Sequence, residues 1–338
     1  MERRDSDELC GCVVGPSDEK TRYTLKSRVG KGSHGVVYLA YDSVVEGQVA
    51  IKVIPRGPHL MKDYVVREIL NHRMLIHPHI IEFKKVFLTD THLCIVMEYA
   101  AGGDLHQHVS NKVVLDEIWA RWYFQQLVLA LDYCHARGVW MRDIKLQNIL
   151  LKNNDKKLIK ICDFDFSKHN KRDSLPRTLL GSRGYFAPEL ILIRTSPMGR
   201  HRGYDAGKVD IWTCGVCLFI MLFGRLPFQD PSDQSENKPK REFERLLKCQ
   251  ISIPTSQTSR NGERKISEGC RDLLSKILKT PEKRISLQGI MQHPWFVEGL
   301  PPNFEKYNQV AAAQAPQDAS LGDESIEQLV EKARTLPT

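Results

Sequence analysis

The chain has 338 residues, 41% of them hydrophobic, a formal net charge of +8 and nine cysteines. That length accommodates two packed lobes, and its basic residues fall in short groups broken by acids, such as Lys156-Lys157 and Lys238 to Arg241, so no nucleic-acid stripe is formed. No apolar run has the length of a bilayer span, and neither Cys10-Gly-Cys12 nor Cys214-Gly-Val-Cys217 has the companions of a zinc site, which points to reduced thiols rather than a disulfide framework.

In chain order, residues 1–22 read as a polar segment whose charged start, Met1-Glu-Arg-Arg, is unlike a secretory signal. Tyr23 to Tyr99 is strand-like, with the β-branched runs Val49-Ala-Ile-Lys-Val-Ile54 and Leu93-Cys-Ile-Val-Met97, and one helical stretch from Tyr64 to Leu75 interrupts it. From residue 101 the pattern turns helical. Trp122, Leu127, Leu131 and Cys134 recur at helical spacing, with Asp116 as N-cap and Gly138 as stop. Val216 to Phe223 reads as a buried helix segment. Arg194 to Gly203 and Pro231 to Lys240 read as surface insertions, and 300–321 as an Ala-, Gln- and Pro-rich linker. In 322–338, Ile326, Leu329, Val330 and Ala333 form one apolar stripe on a helix. The fold class expected is α+β: a β-rich lobe with one helix, then a mainly helical lobe.

Gly30-Lys-Gly32-Ser-His-Gly35-Val-Val37 lets backbone approach phosphate oxygens and aim amides at negative charge. Dinucleotide-binding folds share this spacing, but there the third glycine opens a helix; here Val36-Val-Tyr-Leu-Ala40 continues as a strand, which favours a hairpin over phosphates. Lys52 on the strand Val49-Ala-Ile-Lys52 is suited to the α- and β-phosphates, with Glu68 on the following helix to fix it. Either residue alone would read as an ordinary surface charge. In Met141-Arg-Asp-Ile-Lys-Leu-Gln-Asn148, Asp143 is placed to accept a hydroxyl proton, Lys145 to neutralise a transferring phosphoryl group and Asn148 to hold magnesium. Asp163, in Asp163-Phe-Asp, adds a second hard oxygen ligand. Ala187-Pro-Glu189 closes a Ser- and Thr-rich segment.

This ordered set resembles the eukaryotic protein kinases. The resemblance implies a kinase domain over 23–299, with an N-lobe to residue 100 and a C-lobe from 101. It implies Mg2+ and ATP as cofactors and protein Ser/Thr hydroxyls as substrates. An adenine site is implied at Val29, Val37, Ala50, Glu98, Ala100 and Leu150, with Met97 limiting access behind it, and Asp104 is implied to reach the ribose. Asp210 resembles the C-lobe aspartate that organises the catalytic loop, and Arg284 the arginine that pairs with the Ala-Pro-Glu glutamate. More narrowly, Val66-Arg-Glu-Ile-Leu-Asn-His-Arg, Thr91 to Asp104, Lys160-Ile-Cys-Asp-Phe and His293-Pro-Trp-Phe are similar to the plant sucrose-non-fermenting-related kinases of subfamily two. That likeness implies osmotic and nutrient stress signalling, and a helix at 322–338 that packs on the regulatory helix of the small lobe and favours the active state. The family's acidic tail has no counterpart before Thr338, so hormone-linked phosphatase control through it is not expected.

Several residues depart from the pattern. Met141 replaces the usual histidine and fills its slot as a flexible apolar side chain. Asp165 replaces the glycine after Asp-Phe, which predicts a working but slow enzyme. Gln147 replaces a glutamate that reads substrate arginine. Arg142 before the catalytic aspartate calls for an anion and so predicts control by loop phosphorylation, at Thr178 first and Ser174 second, with Ser182 shaping the substrate site. Cys162 borders the nucleotide pocket as a packed thiol. The rest of the expectation is a monomer in the cytoplasm or nucleus, with an upstream kinase and a phosphatase as partners and no membrane. The alternative is an ATP-binding scaffold with little turnover, which loss of Lys52, Asp143, Asn148 or Asp163 would mark.

Overall fold

The computed structural model describes residues 9–15, 23–32, 34–164, 167–169, 183–195, 203–259, 262–314 and 323–335. The chain divides into two compact units. The first spans residues up to 101 and holds strands β1 (Val13–Val14), β2 (Tyr23–Lys31), β3 (Val36–Asp42) and β4 (Gly47–Pro55), helix α1 (Lys62–Arg73), and strands β5 (Phe83–Leu88) and β6 (His92–Glu98). These strands form one antiparallel sheet in the order β1-β2-β3-β4-β6-β5.

Strand alternation sorts this sheet into two faces. Tyr38, Val49, Ile51, Val53, Cys94 and Val96 pack together in one cluster. On the opposite face, Val37 pairs with Lys52 and Ala50 with Met97 across neighbouring strands, which sets these four side chains side by side. Helix α1 begins two residues before the expected Tyr64. Its first-turn acid, Asp63, and last-turn base, Arg73, suit the helix dipole.

The second unit runs from Gly102 to Ile161 and from Lys168 to Val310. It holds α2 (Leu105–Lys112), α3 (Glu117–Ala136), short strands β7 (Val139–Trp140), β8 (Ile149–Leu151), β9 (Ile159–Ile161) and β10 (Lys168–His169), then α4 (Pro188–Thr195), α5 (Ala206–Phe223) and α6 (Lys238–Leu247). The hairpin β11 (Ser256–Ser259) and β12 (Gly262–Lys265) follows, then α7 (Glu268–Ile277), α8 (Leu287–Met291) and α9 (Pro294–Val297). Helix α5 is apolar enough by composition to cross a membrane, but it is buried along most of its length as the core helix of this unit.

Three sequence expectations meet a different structure here. Asp116 occupies the N-cap position of α3, yet its carboxylate makes no cap bond and pairs instead with Arg264 at 2.5 Å. Helix α6 starts at Lys238, inside the stretch read as an insertion, with Pro239 in its first turn where a missing N–H does no harm. Within the segment read as a linker, helix α10 (Glu305–Gln314) forms. Its alanines and glutamines are good helix formers, and Asn308 holds it by donating to the Leu129 carbonyl at 3.0 Å and the Asp132 carboxylate at 2.8 Å.

The chain then returns to the first unit as α11 (Asp323–Arg334). Ile326, Val330 and Ala333 are buried against Val65, Val66, Ile69 and Leu70 of α1, and Leu329 packs at the edge.

Candidate active site

In the first unit, the β2–β3 turn is closed by a hydrogen bond from the Gly32 amide to the Gly35 carbonyl at 2.9 Å. A Cβ on Gly35 would lie 2.5 Å from the Val53 carbonyl oxygen, so only glycine lets the turn lie this close to β4. Gly30 pairs with Val37 just beneath it, while Val29 is exposed. Lys52, buried on β4, reaches Glu68 of α1 at 2.6 Å, and both side chains are almost fully withdrawn from solvent. An ion pair this buried is stable only while both partners remain, because removing one leaves an uncompensated charge. Glu98 ends β6, its amide donating to the Glu82 carbonyl at 2.9 Å, and Ala100 is buried just beyond.

Asp163 belongs to the same unit and holds φ at +70°, a conformation that non-glycine residues adopt only where the surroundings impose it. The next residue shows what imposes it. Phe164 stacks on the His72 ring at 4.4 Å, and His72 donates from Nε2 to the Ile81 carbonyl at 2.7 Å. One residue earlier, Asn71 donates to the Ser167 hydroxyl at 3.0 Å, and that hydroxyl donates to the Phe164 carbonyl at 2.7 Å. Asn71, His72 and Ser167 escaped the sequence reading. Their signal was the spacing, since His72 lies four residues after Glu68 and so on the same side of α1.

In the second unit, Asp210 of α5 is wholly buried and gathers the loop that carries Asp143. It accepts from the Met141 amide at 3.0 Å, the Arg142 amide at 2.8 Å and His135 Nε2 at 2.8 Å. Arg142 sits at φ +65°. The loop thus presents Asp143 with Lys145 at 2.5 Å, while Asn148 donates to the Asp143 carbonyl at 3.0 Å. Leu150 forms an isolated bridge with Asp104, whose carboxylate also caps α2 by accepting from the Gln107 amide at 2.7 Å. Arg284 takes both oxygens of Glu189, at 2.7 and 3.0 Å, and lies over the Trp212 ring.

Arg142 corrects the sequence argument, which treated it as an unpaired cation. It is buried and donates from Nε to the Tyr204 hydroxyl at 2.9 Å. Burial pushes the Tyr204 phenol up, so its hydroxyl stays a neutral partner. Thr178, Ser174, Ser182 and Asp165 lie outside the described residues. Met141 is buried, as an apolar replacement for histidine can be.

A lysine–glutamate pair on one sheet-and-helix unit, followed in sequence by an Asp–Lys–Asn loop on a helical unit, is the residue set of a phosphotransferase. The protein kinase domain family matches residues 23–296. Serine/threonine-protein kinase SRK2C of Arabidopsis thaliana is 40% identical over 314 residues, covering 93% of this chain and 85% of that protein. SAPK7 of Oryza sativa subsp. japonica is 39% identical over 321 residues, 94% of this chain and 84% of its own length. SRK2A of Physcomitrium patens is 39% identical over 319 residues, with 94% and 86% covered. The chain belongs to the protein kinase family, among the plant serine/threonine kinases of the sucrose-non-fermenting-related subfamily two. Nothing in these likenesses favours a scaffold without turnover, and Lys52, Asp143, Asn148 and Asp163 are all present.

Proposed function

We propose that this kinase transfers the γ-phosphoryl group of Mg-ATP to protein serine and threonine hydroxyls, and that it works in osmotic or nutrient stress signalling. The observation that carries the catalytic part is the buried 2.6 Å Lys52–Glu68 pair, the arrangement that a competent nucleotide site needs. The residues suit the nucleotide and the metal. Asp163 and Asn148 offer the hard oxygen donors that Mg2+ prefers, and with its NH2 committed to the Asp143 carbonyl, the Asn148 amide has its oxygen as acceptor. Bound magnesium would draw charge from the phosphate oxygens.

The remaining work falls to the chain. Lys52, fixed by Glu68, holds the α- and β-phosphates. Gly30, Gly32 and Gly35 let the β2–β3 turn cover them. Val29, Val37, Ala50 and Leu150 enclose the adenine, whose edge meets the backbone of Glu98 and Ala100, and Asp104 receives the ribose. Asp143 accepts the proton of the substrate hydroxyl as its oxygen attacks the phosphorus. Lys145, beside Asp143, offsets charge on the phosphoryl oxygens. Catalysis of this kind is positioning and electrostatic stabilisation.

Phosphorylation at Thr178, with Ser174 second, controls activity through an upstream kinase and against a phosphatase, with Arg142 as the regulatory arginine before the catalytic aspartate; Ser182 shapes the substrate site. Helix α11 supports activity by steadying α1 and with it Glu68. The nine cysteines, none in a disulfide and six of them buried, suit a reducing compartment such as cytosol or nucleus. We assign the protein as a monomer.

The test is phosphate transfer from ATP to a generic protein substrate by the wild type and by Asp143→Asn. The variant is expected to lose about 10²- to 10⁴-fold in turnover with unchanged nucleotide affinity. Equal rates in the two proteins overturn the assignment.

A further inference from the structure

The last carbonyls of a helix fall outside its ladder, and at the end of α11, where Lys332 also accepts from Thr335 Oγ1 at 2.9 Å, three carbonyls accept from a loop far away in sequence. Arg56 follows β4 directly, 276 residues before Lys332. Its Nη2 donates to the Lys332 carbonyl at 2.9 Å and to the Thr335 carbonyl at 2.7 Å. The neighbouring Gly57 amide donates to the Ala333 carbonyl at 2.9 Å. On its other side the same guanidinium reaches the β5–β6 turn, where Nη1 donates to the Thr89 carbonyl at 2.9 Å and the Asp90 carbonyl at 3.3 Å. The Arg56 amide donates to the Thr91 carbonyl at 2.9 Å. One planar fork therefore ties the end of α11 to the edge of the sheet. Its positive charge also meets the negative end of the helix dipole.

The apolar stripe cannot do this alone. Ile326, Leu329, Val330 and Ala333 select the face of α11 that packs, but apolar contact is non-directional, and a slide of one helical turn keeps apolar side chains on that face. Hydrogen bonds to three particular carbonyls permit no such slide. The Lys62–Glu331 pair at 2.8 Å lies in the same region, but it is half exposed and contributes little. Gly57 holds φ at +136°, and a Cβ there would meet the His59 ring at 2.9 Å, so the loop takes the shape that the latch requires only with glycine.

We propose that Arg56 is a positioning residue that sets the register of α11 along α1, and so acts at a distance on the Lys52–Glu68 pair. The effect on activity rests on the reading that α11 supports the active state; the latch itself does not. The test uses the full chain and two readouts, hydrogen exchange of the amides from 326 to 335 and phosphate transfer. Arg56→Ala is expected to deprotect those amides and to lower transfer roughly 2- to 30-fold. Arg56→Lys is expected to recover only part of both, since an ammonium cannot bridge two sets of carbonyls. Val330→Asp, which places a charge under α11, undocks the helix outright, and Arg56→Ala added to it is expected to cost nothing more. Should Arg56→Ala fail to fold, Arg56→Gln takes its place with the same expected result. Unchanged protection in the Arg56 variants, or losses that add to those of Val330→Asp, overturn the proposal. If Arg56→Ala deprotects α11 while Val330→Asp leaves transfer intact, the latch stands and the activating role of α11 fails.

Discussion

His72 sits where a charge cannot be kept. It is buried between Phe164 and Phe83, bonded to the Ile81 carbonyl and near the Lys52 ammonium. Burial is the main force that lowers its pKa from 6.5 to about 4, with Lys52 adding to it and the Ile81 bond opposing. The unfolded chain takes up a proton near pH 6.5 that the folded chain refuses until about pH 4. Stability from this residue is therefore complete above pH 6.5 and drains away as the pH falls towards 4, by a total on the order of 3 kcal/mol. His72→Leu is expected to flatten this part of the curve, measured as urea midpoints at pH 7, 6 and 5. Parallel curves for the two proteins would show that the ring is not the titrating group. Residues like His72 are the ones the sequence conceals. Lys52, Asp143, Asn148 and Asp163 are readable because residue type and order define them, whereas the role of His72 comes from a ring that lies 92 positions away in the chain and is brought to it only by folding.

At the scale of elements, periodicity located the helices better than it assigned their partners. The stripe on α11 was legible, and it is the buried face. The α10 helix was not, because a run of alanine and glutamine flanked by prolines carries no stripe, and the bond from Asn308 to α3 that holds it spans the second unit. Asp116 shows the same limit from the other side. Its position at the head of α3 was read correctly, but an arginine on β12 outcompetes the helix amides for its carboxylate. For α11 the apolar contact has a measurable consequence. Ile326 is 5% exposed in a cluster with Val65, Val66 and Ile69, so Ile326→Ala is expected to weaken docking by roughly 2–5 kcal/mol. That loss should appear as faster exchange and easier proteolysis at 323–335 with reduced phosphate transfer, while the amides of α3 and α5 keep their protection. Protection that is lost everywhere would instead mean that α11 is part of the global fold.

For the whole molecule, the proposed nucleotide and metal roles are divided along the chain, Lys52, Glu68 and Asp163 belonging to the first unit and Asp143, Lys145 and Asn148 to the second. A ligand that binds only the folded state stabilises it by mass action, by about 2.7 kcal/mol at a concentration a hundredfold above its dissociation constant. For a chain of this size that corresponds to a rise of about 4 °C in melting temperature. The full rise should require magnesium, since the proposed metal donors are one carboxylate and one amide oxygen rather than a cage that binds the ion by itself. Chelating magnesium is therefore expected to remove most of the shift in the wild type. Asn148→Ala and Asp163→Ala should show a small shift whether magnesium is present or not, and Lys52→Met should show little shift in either condition. Asp143→Asn should keep the wild-type magnesium-dependent rise, because its role begins only when a hydroxyl is to be deprotonated. A magnesium-dependent rise that survives in Asp163→Ala would place the ion elsewhere and leave that carboxylate without its proposed part in the reaction.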